Sequence, residues 1–122
     1  MFTTADPGGY QTVVPGIRRR TLCHGDATLI SEFRLDAGRA LPMHAHPQEQ
    51  TGYLVAGRLR MTIGDRTRDA GPGDSWCIPG GVEHGADVLE DSVAVEVFSP
   101  VREDYLPDGV AAQGAEGRDA AG

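Results

Sequence analysis

Two histidines one residue apart, His44 and His46, begin the stretch HAHPQEQ, and two possible oxygen ligands, Glu49 and Gln50, close it. On an extended chain alternate side chains point the same way, so His44 and His46 face together. Gln50 has the parity of the histidines; Glu49 has the opposite one. If the extended register runs through Pro47, Gln50 joins the pair, whereas a bulge at Pro47 exchanges the two. On the same count Leu54 and Ala56 follow Gln50 inward, with Tyr53 and Val55 on the other layer. A third histidine, His84, follows a separate turn, Pro79-Gly80-Gly81. Imidazole is the commonest protein ligand for borderline divalent metals. The chain has four histidines, and three of them fall in this pattern. A pair on one strand with a third histidine set by a turn is the arrangement of a metal centre. His24 has no such setting and reads as an ordinary polar residue.

Strands must position these groups. In Thr28–Leu35 (TLISEFRL), Leu29, Ser31, Phe33 and Leu35 share one face. In Gly57–Ile63 (GRLRMTI), Leu59, Met61 and Ile63 alternate with Arg58, Arg60 and Thr62. In Ser92–Phe98 (SVAVEVF), Val93, Val95 and Val97 alternate with Ala94, Glu96 and Phe98. A period of two marks strands with two unlike faces. Gly64-Asp65, Gly71-Pro72-Gly73-Asp74 and Pro79-Gly80-Gly81 are turn formers between them. No helix of ten or more residues is expected. Short strands at regular spacing predict an all-β, antiparallel sandwich or barrel of the jelly-roll kind.

Composition bounds the partners. The 122 residues suit one domain, and the 17 glycines and 8 prolines fit frequent turns. A net charge of −7 argues against a nucleic-acid backbone as partner; the one basic run, Arg18-Arg19-Arg20, reads as a solubilising strand edge. Cys23 and Cys77 are too few for a disulfide scaffold and are expected to be reduced and buried. The N-terminus lacks a basic start and an apolar run, and no window has the length of a membrane span. A soluble, cytoplasmic protein is the expectation. Residues 1–15 read as an N-terminal arm, 16–106 as the barrel, and 107–122 (PDGVAAQGAEGRDAAG) as a disordered tail.

With these elements in place, the spacing resembles a known family. Gly38, five residues, His44-x-His46, three residues, Gln50, six residues and Gly57 is similar to the first cupin motif. Gly73, five residues, Pro79-x-Gly81, two residues and His84 is similar to the second. The resemblance covers about Gly38 to Leu106. It implies a single-domain cupin-type β-barrel, a double-stranded β-helix or jelly roll, with a divalent metal ion (Zn, Ni, Mn or Fe) in its mouth. It implies His44, His46, Gln50 and His84 as the metal ligands. Many cupins carry Glu where this chain has Gln50. Three imidazoles and an amide are all neutral, which leaves the ion its full charge and favours Lewis-acid work on an anionic substrate over oxygen chemistry. Barrels of this kind commonly pair through their sheet edges, so a homodimer is expected.

A narrower likeness is carried by HPQEQTGYLVAGRL, GPGDSWCIPGGVEHGA and VFSPVREDYLP, which resemble the small cupins of the KdgF type. That likeness implies a lyase or isomerase acting on a small sugar acid, opening the ring of 4,5-unsaturated uronates in pectin or alginate degradation. It implies Glu96, Phe98 and Arg102 as catalytic or substrate-binding residues. The acid in that group is usually Asp; Glu96 is one methylene longer. Read from its strand alone, Glu96 is equally a solvent-facing residue, and Arg102 equally a surface ion-pair partner of Glu103 or Asp104. Tyr53 and Trp76 read as packing, Arg58 and Arg60 as solvent-facing, and Tyr105 as closing a barrel edge or a dimer contact. Alternative activities for the pattern are an aromatic polyketide cyclase of cupin type, a dioxygenase, or a non-catalytic cupin that binds a small ligand. A deep apolar cavity would favour the cyclase; a polar one with Arg102 inside would favour the sugar acid.

Overall fold

A computed structural model describes residues 1–6 and 8–106; the tail expected over 107–122 lies outside the described residues. Eight strands account for most of them: β1 (Gln11–Val14), β2 (Ile17–His24), β3 (Leu29–Leu35), β4 (Ala40–His44), β5 (Glu49–Ile63), β6 (Arg66–Ala70), β7 (Ser75–Ile78) and β8 (His84–Ser99). A 3₁₀ turn follows at Glu103–Tyr105. Every pairing is antiparallel. The sheet runs β1-β2-β3-β8-β5-β6, with β4 also on β8 and β7 also on β5. This is the all-β, jelly-roll type of architecture expected from the alternation.

β5 and β8 are the long spine, at 15 and 16 residues. They pair with each other from Glu49↔Ser99 to Ile63↔His84. On its free side β8 takes β4 near His84 and β3 along Ser92–Phe98. On its free side β5 takes β7 along Gln50–Tyr53 and β6 along Leu59–Ile63. One strand therefore serves two neighbours in succession, and the inward faces of all of them enclose one core.

That core is assembled by the period-two pattern. Leu29, Phe33 and Leu35 of β3, Leu54 and Leu59 of β5, and Ala94 and Phe98 of β8 are buried in one cluster with Ile17 and Val88. Burying each large aliphatic or aromatic side chain stabilises the fold by roughly 1.5–3 kcal/mol. Val101 and Leu106 close the cluster after β8. Gln11–Val14, within the expected arm, adds β1 to the edge of β2. Arg58 and Arg60 are exposed, and Arg60 forks onto Asp69 at 2.8 and 3.1 Å.

Three expectations need correction. Ala56 is exposed rather than inward, because the β5–β8 register slips on either side of it, around Gly57. Gly57 has φ 94°, and a Cβ there would strike the Asp91 carbonyl and the Ser92 side chain, so only glycine permits this bulge. Cys23 and Cys77 are exposed rather than buried. Cys77 lies on the outward face of β7 opposite Thr51, and Cys23 follows a register shift in β2. Tyr53 is 50% exposed rather than packed, since it stands on the outer side of β5.

Candidate functional site

The strand pairing brings the histidines together. His44 ends β4 directly opposite His84, which begins β8. Their ring centroids are 4.3 Å apart. His46 lies in the connection to β5, with its ring 4.8 Å from that of His84 and 5.9 Å from that of His44. One candidate ligand atom from each ring falls within 4.8 Å of the others. The chain leaves β4 after His44 and bends at Pro47 and Gln48, yet Gln50 is 8% exposed and points inward, while Glu49 is exposed.

Hydrogen bonds fix which nitrogen each ring offers. The Nδ1 of His44 faces Pro42 O at 2.8 Å, that of His46 faces Gln48 O at 3.0 Å, and that of His84 faces Val82 O at 2.9 Å. A carbonyl only accepts, so each Nδ1 carries the proton and each Nε2 is a bare lone pair. Among the described residues, His84 Nε2 is buried with no partner. Gln50 donates its amide N–H to Glu96 Oε1 at 3.0 Å, which turns its Oε1 toward His46 Nε2, also 3.0 Å away. Two acceptors then face each other, an arrangement that repels unless a cation lies against both. Three neutral imidazoles and a carboxamide oxygen thus form a donor set that fits a divalent ion. Burial pushes His84 down to about 4; burial and the nearby Arg102 also lower His46. Both shifts keep those two rings neutral and able to bind a metal at neutral pH.

Glu96 sits beside this set. It is 4% exposed, facing inward with Ala94 and Phe98 rather than outward to solvent. Beyond the Gln50 bond, Trp76 donates its indole N–H to Oε1 at 2.6 Å and lies 3.2 Å from Oε2. Burial raises Glu96 to about 7 despite these donors, which pull it down. Gly52 makes the arrangement possible. It is paired with Glu96 on one side and Trp76 on the other, and a Cβ there would overlap both side chains. A glycine in a strand marks such a close approach.

These groups open into a cavity of about 260 Å³. His44, His84, Gln50, Glu96, Arg102 and Tyr105 supply its polar wall. Phe33, Leu35, Leu59, Met61, Ile78 and Phe98 supply much of the rest. The Phe98 ring meets the edges of His46 and Tyr105, at 5.7 and 5.2 Å. Arg102 forks onto Asp104 at 3.2 and 2.8 Å and donates from Nη1 to the Tyr105 hydroxyl at 3.0 Å. It therefore both lines the cavity and makes the ion pair expected of a surface arginine.

The structure thus brings His44, His46, His84, Gln50 and Glu96 to one place, with Phe98 and Arg102 on the same cavity. Trp76, which the sequence reads as packing, lines the cavity and donates to Glu96. Its role and that of Gly52 depend on the β7–β5–β8 register, which no local pattern encodes. The one sequence signal was a glycine in phase with Gln50 inside a strand.

Comparison with known proteins agrees with this geometry. The cupin domain matches residues 31–100, so the chain belongs to the cupin family. Within it, this is a small cupin resembling KdgF. The chain is 27% identical over 103 residues to the pectin degradation protein KdgF of Dickeya dadantii, covering 83% of this chain and 94% of that one. The structure of KdgF from Halomonas sp. matches with a TM-score of 0.82 and 33% identity, over 87% of this chain and 100% of that one. A match to oxalate decarboxylase OxdC of Bacillus subtilis, 30% identical over 91 residues, covers 70% of this chain but only 23% of that protein. Among the described residues no helix is long and apolar enough to cross a membrane.

Proposed function

We propose that this cupin is a metal-dependent enzyme that opens the ring of a small anionic sugar acid, a 4,5-unsaturated uronate of the kind pectin breakdown yields. The observation that carries the reading is the joining of the neutral donor set to Glu96 within one cavity that Arg102 also lines. Likeness to KdgF proteins along most of both chains supports it.

His44, His46, His84 and Gln50 would hold the ion. Bound there, it supplies Lewis-acid polarisation of a substrate oxygen with its charge undiluted by a carboxylate ligand. Arg102 grips the substrate carboxylate. Its pairing with Asp104 and Tyr105 occupies three of its five N–H groups and leaves two for the substrate. Opening the cyclic hemiacetal breaks the bond between the ring oxygen and the anomeric carbon and passes the anomeric hydroxyl proton to the ring oxygen, leaving an aldehyde and an enol; reaching the keto form moves the enol proton to the neighbouring carbon. Glu96 carries it: the protonated acid gives to carbon and the carboxylate takes from oxygen. Burial, which brings its pKa to about 7, populates both forms near neutral pH. Gln50 and Trp76 fix the carboxyl in place through their N–H groups. Phe98 walls the cavity and keeps water from the reacting enol.

The test is the ultraviolet absorbance of a 4,5-unsaturated galacturonate. Metal-loaded protein should remove it much faster than buffer, and chelated protein should not. Decay no faster than buffer in both would sink the assignment. A second reading has one observation in its favour: the apolar share of the cavity wall, including Leu35, Leu59, Met61 and Ile78, suits a less polar ring. On that reading the chain is an aromatic polyketide cyclase, and a linear poly-β-ketone would turn over where the uronate does not.

A further inference from the structure

Behind Arg102 the side chains are stacked in an order that the metal centre does not require. The Arg102 guanidinium lies 4.0 Å from the centroid of the Tyr105 ring, and the Arg19 guanidinium lies 3.7 Å from the same centroid. Two cations cannot share one ring face at those heights, so Tyr105 is sandwiched between them. Phe98 and Phe33 touch the edges of the ring, at 5.2 and 6.2 Å. Thr21 donates its hydroxyl to the Tyr105 carbonyl and receives Arg19 Nη1 at 3.0 Å. Gln11 takes Arg19 Nη2 at 3.2 Å. Tyr105 is thus held from several sides, and with its hydroxyl on Arg102 it lines the same cavity as that arginine.

Arg19 is the unusual member. It is 4% exposed, and among the described residues no carboxylate pairs with it. A buried arginine with no carboxylate in direct contact is costly; Asp104 nearby and stacking on an aromatic face recover part of that cost. The Tyr105 hydroxyl is unusual too. It accepts from Arg102 Nη1, and among the described residues nothing receives its own proton. A donor beside two free N–H groups of an arginine, on the wall of a cavity, is a place for an anion.

We propose that Tyr105 is the second half of a carboxylate clamp: its hydroxyl and the free N–H groups of Arg102 hold the substrate's carboxylate together, and Arg19 positions the pair from behind. The clamp rests on the reading of Arg102 given above but not on the reaction. Tyr105 is a binding residue; Arg19 acts through it and is a positioning residue.

The test uses the protein as purified, with Trp76, the chain's one tryptophan, as a fluorescent reporter inside the cavity. The probes are D-galacturonate, cyclohexanecarboxylate and the uncharged D-galactose. Both carboxylates should bind and galactose should not. Tyr105→Phe keeps the ring and the sandwich but removes the donor, and should weaken both carboxylates about 10- to 100-fold. Arg19→Met should weaken them about 3- to 10-fold, with Arg19→Lys between it and the parent. Carboxylate affinity unchanged in Tyr105→Phe, or no carboxylate bound by the parent, overturns the clamp. If galacturonate binds in a Tyr105-dependent way yet unsaturated uronate is not turned over, the clamp stands and the ring-opening reading falls.

Discussion

Gly52→Ala adds one methyl group to a strand, and the structure makes it severe. Gly52 lies in register between Trp76 and Glu96, and a Cβ built on it comes closer than 3.0 Å to Trp76 Nε1 and to Glu96 Oε1. Neither side chain has an easy retreat, since Glu96 is fully inside and also receives Gln50. Relief of the overlap breaks the indole–carboxylate bond and strains the remainder. Losing a hydrogen bond to a buried charged group costs about 1.5–3 kcal/mol, and overpacking about 1–3 kcal/mol. The expected loss of stability is therefore roughly 2.5–6 kcal/mol. Urea unfolding followed by Trp76 emission measures it and also reports the altered indole environment. Trp76→Phe removes the clashing N–H, so by circular dichroism the double variant should lose less than the two single losses combined, by at least about 1 kcal/mol. A Gly52→Ala protein within about 0.5 kcal/mol of the parent, with unchanged emission, would refute the packing described here.

Further outcomes follow from the same geometry. Glu96→Gln should lower kcat about 10²- to 10⁴-fold while metal content is kept, as steady-state kinetics and elemental analysis would show. In metal-free protein its pH dependence is also fixed in sign. The stability that depends on Glu96, raised from 4.5 to about 7, is present below pH 4.5 and lost as pH rises through 7. That of His84, lowered from 6.5 to about 4, is present above pH 6.5 and lost as pH falls through 4. The two oppose each other between those limits, so chelated Glu96→Gln should lose about 3 kcal/mol between pH 6.5 and 4 in urea titrations, and the parent markedly less. Gln50→Glu should retain the ion but lower turnover more than tenfold, because it dilutes the ion's charge and removes the N–H that Glu96 accepts.

Much of this site was legible because it follows chain parity. His44, His46 and Gln50 share a phase, and the structure turns all three to one place although the chain bends at Pro47 and Gln48. The jelly-roll class followed from the alternation in Leu29–Leu35 and Ser92–Phe98. Parity cannot say which face is the inner one, so Glu96 read equally as exposed. It also fails at bulges: Gly57 resets the register and leaves Ala56 outside. The partners of Glu96 were hidden for another reason. Trp76 and Gly52 meet it only across β7, β5 and β8, a relation set by pairing between distant segments. Arg19 belonged to a basic run that reads as solvated, and only tertiary packing reveals its ring partner.

One dication held by four neutral side chains is the centre of the proposed chemistry. Elemental analysis of freshly purified protein, beside His84→Ala and Gln50→Ala, tests that directly. Near one equivalent of a divalent metal in the parent is predicted, with loss of most of it in His84→Ala and weakened retention in Gln50→Ala. A parent that neither carries metal nor binds zinc, nickel, manganese or iron by calorimetry would contradict the account at its centre.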